Sequence, residues 1–477
     1  MTSRYTTTFV GLGTALGLVA YFLGTFGVLL VVLIVLASIP WIVSIRKGDV
    51  DVFEPINFAS IFMFVTAYEF FYRLYVSERA LSYPELISRS FDEGMFLVML
   101  LYVILYSSVL LGYYLKFDWY ERLIPKFPAE GKDHLEILKL AAVLYVVVGL
   151  LFYVLLIQES LHGNPLHLFT TSDPRSEVFE GAYHIQLGAQ MLHIGYFLWI
   201  VRTISKGVTP GVIQLSLFAP VFVAFLLLGG RGTALNLVLI LMVLLYYTWI
   251  KDLYDVRRRH ITFFSDQFHA KVKILSIPVI GFFLVVSAAY LRYLRFGWSI
   301  SKVHEEVDLL GTFAIDEGRF DRLLLLLEYS PGEIGYYYGL YYLRPLLNFI
   351  PRAYWEEKPP LTVGSELRET VFPTASGGLP PSIIGEFYVN FGYPGILVGG
   401  VVTGISLRVL YEIWSRNTGS VLILYIYSLI VVRVAVEPGF SNNILFTVIS
   451  TLLLLTPVFF VIFVSHSHRR STDINLP

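Results

Sequence analysis

Three arginines in this chain stand at helix ends or inside a helix, where apolar surroundings make a charge costly. Arg231 lies in "LLLGGRGTALN", where flanking glycines allow close backbone approach and the following helix opens with free N–H groups, a favourable place for an anion. Arg352 follows a proline in "NFIPRAYWEEKPP", with Lys358 close behind. Arg433 lies well inside the apolar run of "LIVVRVAVEPGFSNN", one helical turn from Glu437, which reads as its orienting partner. A planar, permanently charged guanidinium binds a diphosphate through paired hydrogen bonds better than an ammonium does, so three on one membrane face fit a lipid-diphosphate site. Displacing such a group with a hydroxyl also requires a base. Glu386, in "PPSIIGEFYVNFGYPGILVGG", has Gly385 beside it for steric room and apolar neighbours that favour proton uptake. His184 carries the imidazole that ordinarily exchanges protons near neutrality, and Asp321 is a third candidate. Asp173, Glu177 and Glu180 sit in a polar loop, where carboxylates stay ionised and make weak bases.

The elements that must position these residues are membrane helices. Of 477 residues, 56% are hydrophobic and only 15% charged, and the mean hydropathy is +0.67, well beyond a soluble domain of this length. A net charge of −1 leaves no basic excess for nucleic acid, and the absence of cysteine excludes disulfides, thiolate metal sites and a thiol nucleophile. No P-loop, GxSxG, HExxH or GxGxxG pattern occurs. The "DVD" at Asp49 to Asp51 matches a short metal motif of sugar transferases, but three residues match by chance and this one follows a span on the basic side. The expected site therefore needs no metal and no cofactor.

Apolar runs of membrane-crossing length occur near residues 8–24, 27–45, 57–75, 94–115, 137–157, 186–204, 211–229, 233–250, 274–294, 394–413, 420–436 and 445–464. The fold expected is all-α and polytopic, with about twelve transmembrane helices. Only the Gly24–Gly27 turn separates the first two. Lys and Arg concentrate in alternate loops: Arg46 and Lys47, Lys116 to Lys132, Arg202 and Lys206, Lys251 to Lys273, and Arg469 with Arg470. These and both termini are expected in the cytoplasm. The chain then divides into membrane helices over 1–157, an external loop over 158–185, helices over 186–294 with an external turn at 229–232, a large external loop over 295–393, and helices with a cytoplasmic tail over 394–477. Within the large loop, "FDRLLLLLEYS" (320–330) is expected to lie along the bilayer surface, and Tyr336, Tyr337, Tyr338, Tyr341 and Tyr342 to mark the membrane interface or stack on sugars.

"GGRGTALN", "YYYGLYYLRPLLNFIPRAYWEEKPP" and "PPSIIGEFYVNFGYPGILVGG", with a large external loop late among about twelve spans, resemble the Wzy-type oligosaccharide repeat-unit polymerases, or O-antigen polymerases. The likeness covers mainly residues 229–443. It implies a GT-C-like membrane glycosyltransferase in the cytoplasmic membrane, working on the outer face. The growing glycan would pass from undecaprenyl diphosphate to a new lipid-linked repeat unit, with inversion and without metal. It also implies Arg231, Arg352, Arg433 and Glu386 as site residues, although Arg352 and Gly364 depart from the arginine–glycine spacing of some members. Lipid-linked oligosaccharides, membrane lipids, a chain-length regulator and a flippase are the implied partners. Two other activities fit such a chain: an O-antigen ligase delivering glycan to lipid A core, and a lipid-oligosaccharide flippase, which would more typically show two repeated halves.

Topology is directly testable because the chain has no cysteine. Single cysteines at 175 and 340 should react with an impermeant thiol reagent on intact cells, and one at 258 only after permeabilisation. Labelling of 258 on intact cells would overturn the orientation.

Overall fold

The computed structural model describes residues 2–48, 50–77, 79–115, 124, 126–127, 132–167, 178–179, 182–228, 231–251, 319–347, 350, 354–355, 357–373, 378–436 and 442–473, a few of them, including 2–23 and 231–232, by backbone alone. Among these residues every regular element is helical. The long helices before the outer segment are α1 (Thr2–Lys47), α2 (Pro55–Tyr75), α3 (Phe91–Tyr114), α4 (Lys132–Ser160) and α5 (Tyr183–Ser205). Shorter ones follow as α6 (Val212–Ser216), α7 (Phe218–Leu227) and α8 (Arg231–Leu245), which ends in a π turn at Tyr246–Ile250. The outer segment holds α9 (Arg319–Tyr329), a 3-10 turn at Leu340–Leu343, α10 (Arg344–Leu347) and α11 (Val363–Val371), and the chain closes with α12 (Ser382–Ser415), α13 (Val421–Val436) and α14 (Asn442–Asp473).

Among the described residues five helices are long and apolar enough to cross a membrane: Gly24–Lys47 within α1, α3, His134–Ser160 within α4, α12, and Ile444–Ile462 within α14. Shorter apolar helices cover Val212–Leu227, Thr233–Trp249 and Val421–Val434. The expected spans at 57–75 and 186–204 coincide with α2 and α5, which are long enough but more polar. The first expected span is helical backbone continuous with the second across a bend at Gly24, where φ is 66°; the one at 274–294 lies outside the described residues.

The described helix ends gather into two groups. At the basic end, Asp51 accepts hydrogen bonds from Tyr247 Oη (2.9 Å) and Phe53 N (3.0 Å), Tyr113 Oη donates to Glu54 (2.8 Å), and Tyr427 Oη donates to the Phe53 carbonyl. Burial pushes the Asp51 carboxyl up to about 6. At the opposite, loop-rich end, α9 meets the segment joining α2 to α3: Ser88 and Arg89 both donate to Glu328 at 2.5 Å.

Here α9 departs from expectation. It does not lie along a bilayer surface but is enclosed by protein over α3 and α12, with Leu323 to Leu327 all buried. Five consecutive leucines cover every face of a helix, so an amphipathic seat at an interface would leave some of them in water.

The seam that carries this layer is α3 against α12. The two run in the same direction, and small residues let their backbones touch. A Cβ on Gly404 would overlap the Val109 carbonyl oxygen and come within 2.6 Å of Tyr113 N, and one on Gly112 would overlap the Val401 carbonyl. Backbone cannot yield as a flexible side chain can. Gly404→Leu is therefore expected to cost at least the ~1–3 kcal/mol of an overpacked core, read as a lower unfolding midpoint in detergent; an unchanged midpoint would contradict the close approach.

Candidate functional site

The loop-rich end is built around the first nine residues of α12. The helix is broken at Phe391 (φ −146°) and Gly392 (φ 66°), so that 382–390 is separate in direction from the span that follows. Every residue from Ser382 to Asn390 is buried, Glu386 at 8% exposure among them. The break leaves carbonyls without helical donors, and the tyrosine segment supplies them: Tyr337 N donates to Val389 O and Tyr338 N to Asn390 O, each at 2.9 Å. Asn390 completes the join, accepting from Gly339 N (3.1 Å) and donating to Glu386 O (2.7 Å).

This stitching brings the Tyr342 hydroxyl near the Glu386 carboxylate. Burial, and then the charge of Glu386, push the ionisation of Tyr342 far up. That hydroxyl is buried without a hydrogen-bond partner among the described residues, as are those of Ser330 and Ser382. A latch lies beside them. Arg344 Nη1 bonds Glu366 Oε2 (2.9 Å) and the Pro360 carbonyl (2.8 Å), and its guanidinium stacks over Tyr337 (4.4 Å) and Tyr341 (5.1 Å). Tyr337 also donates to Glu366. The tyrosine run is thus divided: Tyr337 and Tyr341 cover Arg344, Tyr336 packs on Tyr388 (5.9 Å), and Tyr338 is exposed.

A second group of polar side chains lies among the helices. Arg433, partly buried near the loop-rich end of α13, has no ion pair or hydrogen bond with any described residue. It lines a narrow space of about 10 Å³ between α13 and α14, with Thr451 and apolar side chains. Its electrostatic neighbours are His193 of α5 and Tyr425 of α13. His193 is 1% exposed and Tyr425 0%, and neither the Nδ1 of the one nor the hydroxyl of the other has a partner among the described residues. Phe225 stands edge-on to His193 at 5.0 Å, and Phe197 stacks on Tyr425 at 5.5 Å. Neither His193 nor Tyr425 stands out in the sequence, since each sits in an apolar run with no recognisable motif around it.

Of the remaining expected residues, the structure describes some and not others. Arg231 opens α8, where the backbone alone is described, and Arg352 and Glu437 lie outside the described residues. Lys358 is buried and donates to the Ile350 carbonyl (2.9 Å). His184 is exposed in the first turn of α5. Asp321 is 0% exposed and engaged on both oxygens: Oδ2 takes Arg73 (3.4 Å) and Ser82 Oγ (2.8 Å), and Oδ1 takes Ser82 N (3.1 Å). Asp51 of the "DVD" is held by Tyr247, and Asp49 lies outside the described residues. Among the described residues no three His, Asp or Glu side chains gather as a metal site would require.

No protein-family model, no curated protein and no solved structure matches this chain.

The Asp321 pair has a measurable consequence. Asp321→Ala strands Arg73 in a buried position with Glu69, 3.6 Å away, as its one counter-charge among the described residues, a loss that typically costs about 3–5 kcal/mol. The variant should unfold at markedly lower temperature in detergent. Wild-type stability together with lost activity would instead place Asp321 in the chemistry.

Proposed function

We propose that this protein is a membrane-embedded, metal-independent inverting glycosyltransferase that polymerises lipid-linked oligosaccharide repeat units in the manner of the Wzy-type enzymes. The observation that carries the reading is Arg433, a guanidinium set in an apolar helix without an ion-pair partner among the described residues, beside two buried polar groups with unused hydrogen-bonding capacity. A charge in that position is functional by default, and its planar fork fits phosphate oxygens. In this reading the chain crosses the cytoplasmic membrane about twelve times in a GT-C-like arrangement, with the basic end and both termini inside and the loop-rich end outside.

The donor is the growing glycan on undecaprenyl diphosphate. A hydroxyl at the non-reducing end of a second lipid-linked repeat unit attacks the anomeric carbon from the face opposite the diphosphate. A glycosidic C–O bond forms, the C–O bond to the diphosphate breaks, and the hydroxyl proton passes to a base. Arg433, Arg231 and Arg352 neutralise the departing diphosphate, with Lys358 adding charge and Glu437 orienting Arg433. Glu386 is the base the surroundings support best: it is buried at the loop-rich end beside the unpartnered Tyr342 hydroxyl, whereas Asp321 is already held by Arg73 and Ser82, and His184 stands in the open. In this reading a flippase supplies the lipid-linked repeat units and a chain-length regulator sets the length of the product.

In a strain lacking the gene, Arg433→Ala and Glu386→Gln should abolish the glycan ladder while membrane levels of the protein and single-repeat material persist. Arg433→Lys should restore little of it. Loss of every attached repeat would favour a ligase, loss of repeat units from the outer leaflet a flippase, and near-normal ladders from both variants would overturn the reading.

A further inference from the structure

We infer that the cleft between α4, α5, α7 and α8 at the loop-rich end is a carbohydrate-binding subsite; this deepens the proposed function and rests on it for the identity of the lipid carrier. The cleft has a volume of about 40 Å³, room for roughly three water-sized groups. Its polar lining is Gln186 and Gln190 from α5 and Thr233 from the first turn of α8, and its walls include Phe179 and Phe225. No hydrogen bond joins the side chains of Gln186, Gln190 or Thr233 to any described residue.

Three physical points select the ligand. An amide carries donors and an acceptor side by side, so two of them one helical turn apart match the paired hydroxyls along the edge of a sugar ring. The aromatic walls suit its C–H faces. Among the described residues no charged side chain lines the cleft, so a bare anion finds no counter-charge there, while an apolar ligand would bury three polar groups unpaired. The ligand that satisfies the lining is neutral and rich in hydroxyls.

Position supports the same assignment. Gln186, Gln190 and His193 follow i, i+4, i+7 along α5 and share one face. His193 lies about 10 Å deeper than Gln186 at 1.5 Å per residue, where its neighbour is Arg433. A neutral subsite toward the loops and a cation beneath it reproduce the order of a lipid-linked glycan, sugar outward and diphosphate toward the membrane.

The test uses purified full-length protein and two probes: lipid-linked oligosaccharide extracted from cells that carry the protein, and undecaprenyl diphosphate without sugar. Wild type should bind the glycan-bearing lipid at least about tenfold more tightly, the equivalent of one or two well-formed neutral hydrogen bonds. Gln186→Leu with Gln190→Leu should abolish that preference while keeping both the affinity for the bare diphosphate and the unfolding midpoint, since no internal hydrogen bond is lost. Should the double variant misfold, a single cysteine at 190 provides the reading: the glycan-bearing lipid, and not the bare one, should shield it from a small aqueous thiol reagent. A wild type without preference, a double variant that retains it, or a cysteine shielded equally by both lipids overturns the subsite and leaves the proposed function standing. Binding of neither lipid overturns both. A preference that depends on the glutamines in a protein that forms no ladder supports the subsite and overturns the polymerase.

Discussion

The contact of α3 with α12, backbone against backbone at Gly112 and Gly404, determines where the loop-rich end can form. With the two axes this close, the start of α12 can only continue into the layer above α3, and it does so after turning at Phe391 and Gly392. α9 then closes over both, which is why its leucines face protein on every side. The Tyr336–Tyr342 segment follows from the same break, because its backbone N–H groups meet the carbonyls that the turn exposes. Glu386 owes its buried position to these neighbours rather than to any feature of its own turn.

The buried polar groups divide into those that satisfy one another and those left with capacity unused. At the basic end Tyr113 of α3 and Tyr247 from the π turn of α8 donate to Glu54 and Asp51 of the loop between α1 and α2. Among the described residues, His193 and Tyr425 in the helices, Tyr342 at the loop-rich end and the Trp414 indole at the basic end are buried with capacity unused. An unpaired buried donor or acceptor costs stability.

Much of the helical plan is legible in the sequence, because hydropathy and loop charge are local properties. The bend at Gly24 falls where the glycines interrupt the first apolar run, and the expected start of a span at 394 agrees with the break at Gly392 to within two residues. What could not be read depends on partners far along the chain. Arg73 and Asp321 are 248 residues apart, and nothing near Asp321 announces that its carboxylate is already taken. The burial of α9 is a property of what covers it, while its leucine run and charged flanks fit a surface helix equally well. His193 and Tyr425 are single polar residues in apolar runs, visible as a pair only once α5 packs on α13.

The turn at Gly392 also bears on how the protein meets its solvent. A spanning helix accommodates a thicker or thinner bilayer chiefly by changing its tilt, and residues 393–415, with Leu397, Val398 and Val402 exposed, form the part of α12 that would answer to such a change. The nine residues before the turn are held instead by α9 and by the backbone bonds of Tyr337 and Tyr338. Glu386 thus sits in the stretch of α12 that protein contacts hold, and the side chains that such a change would reach first lie beyond the turn.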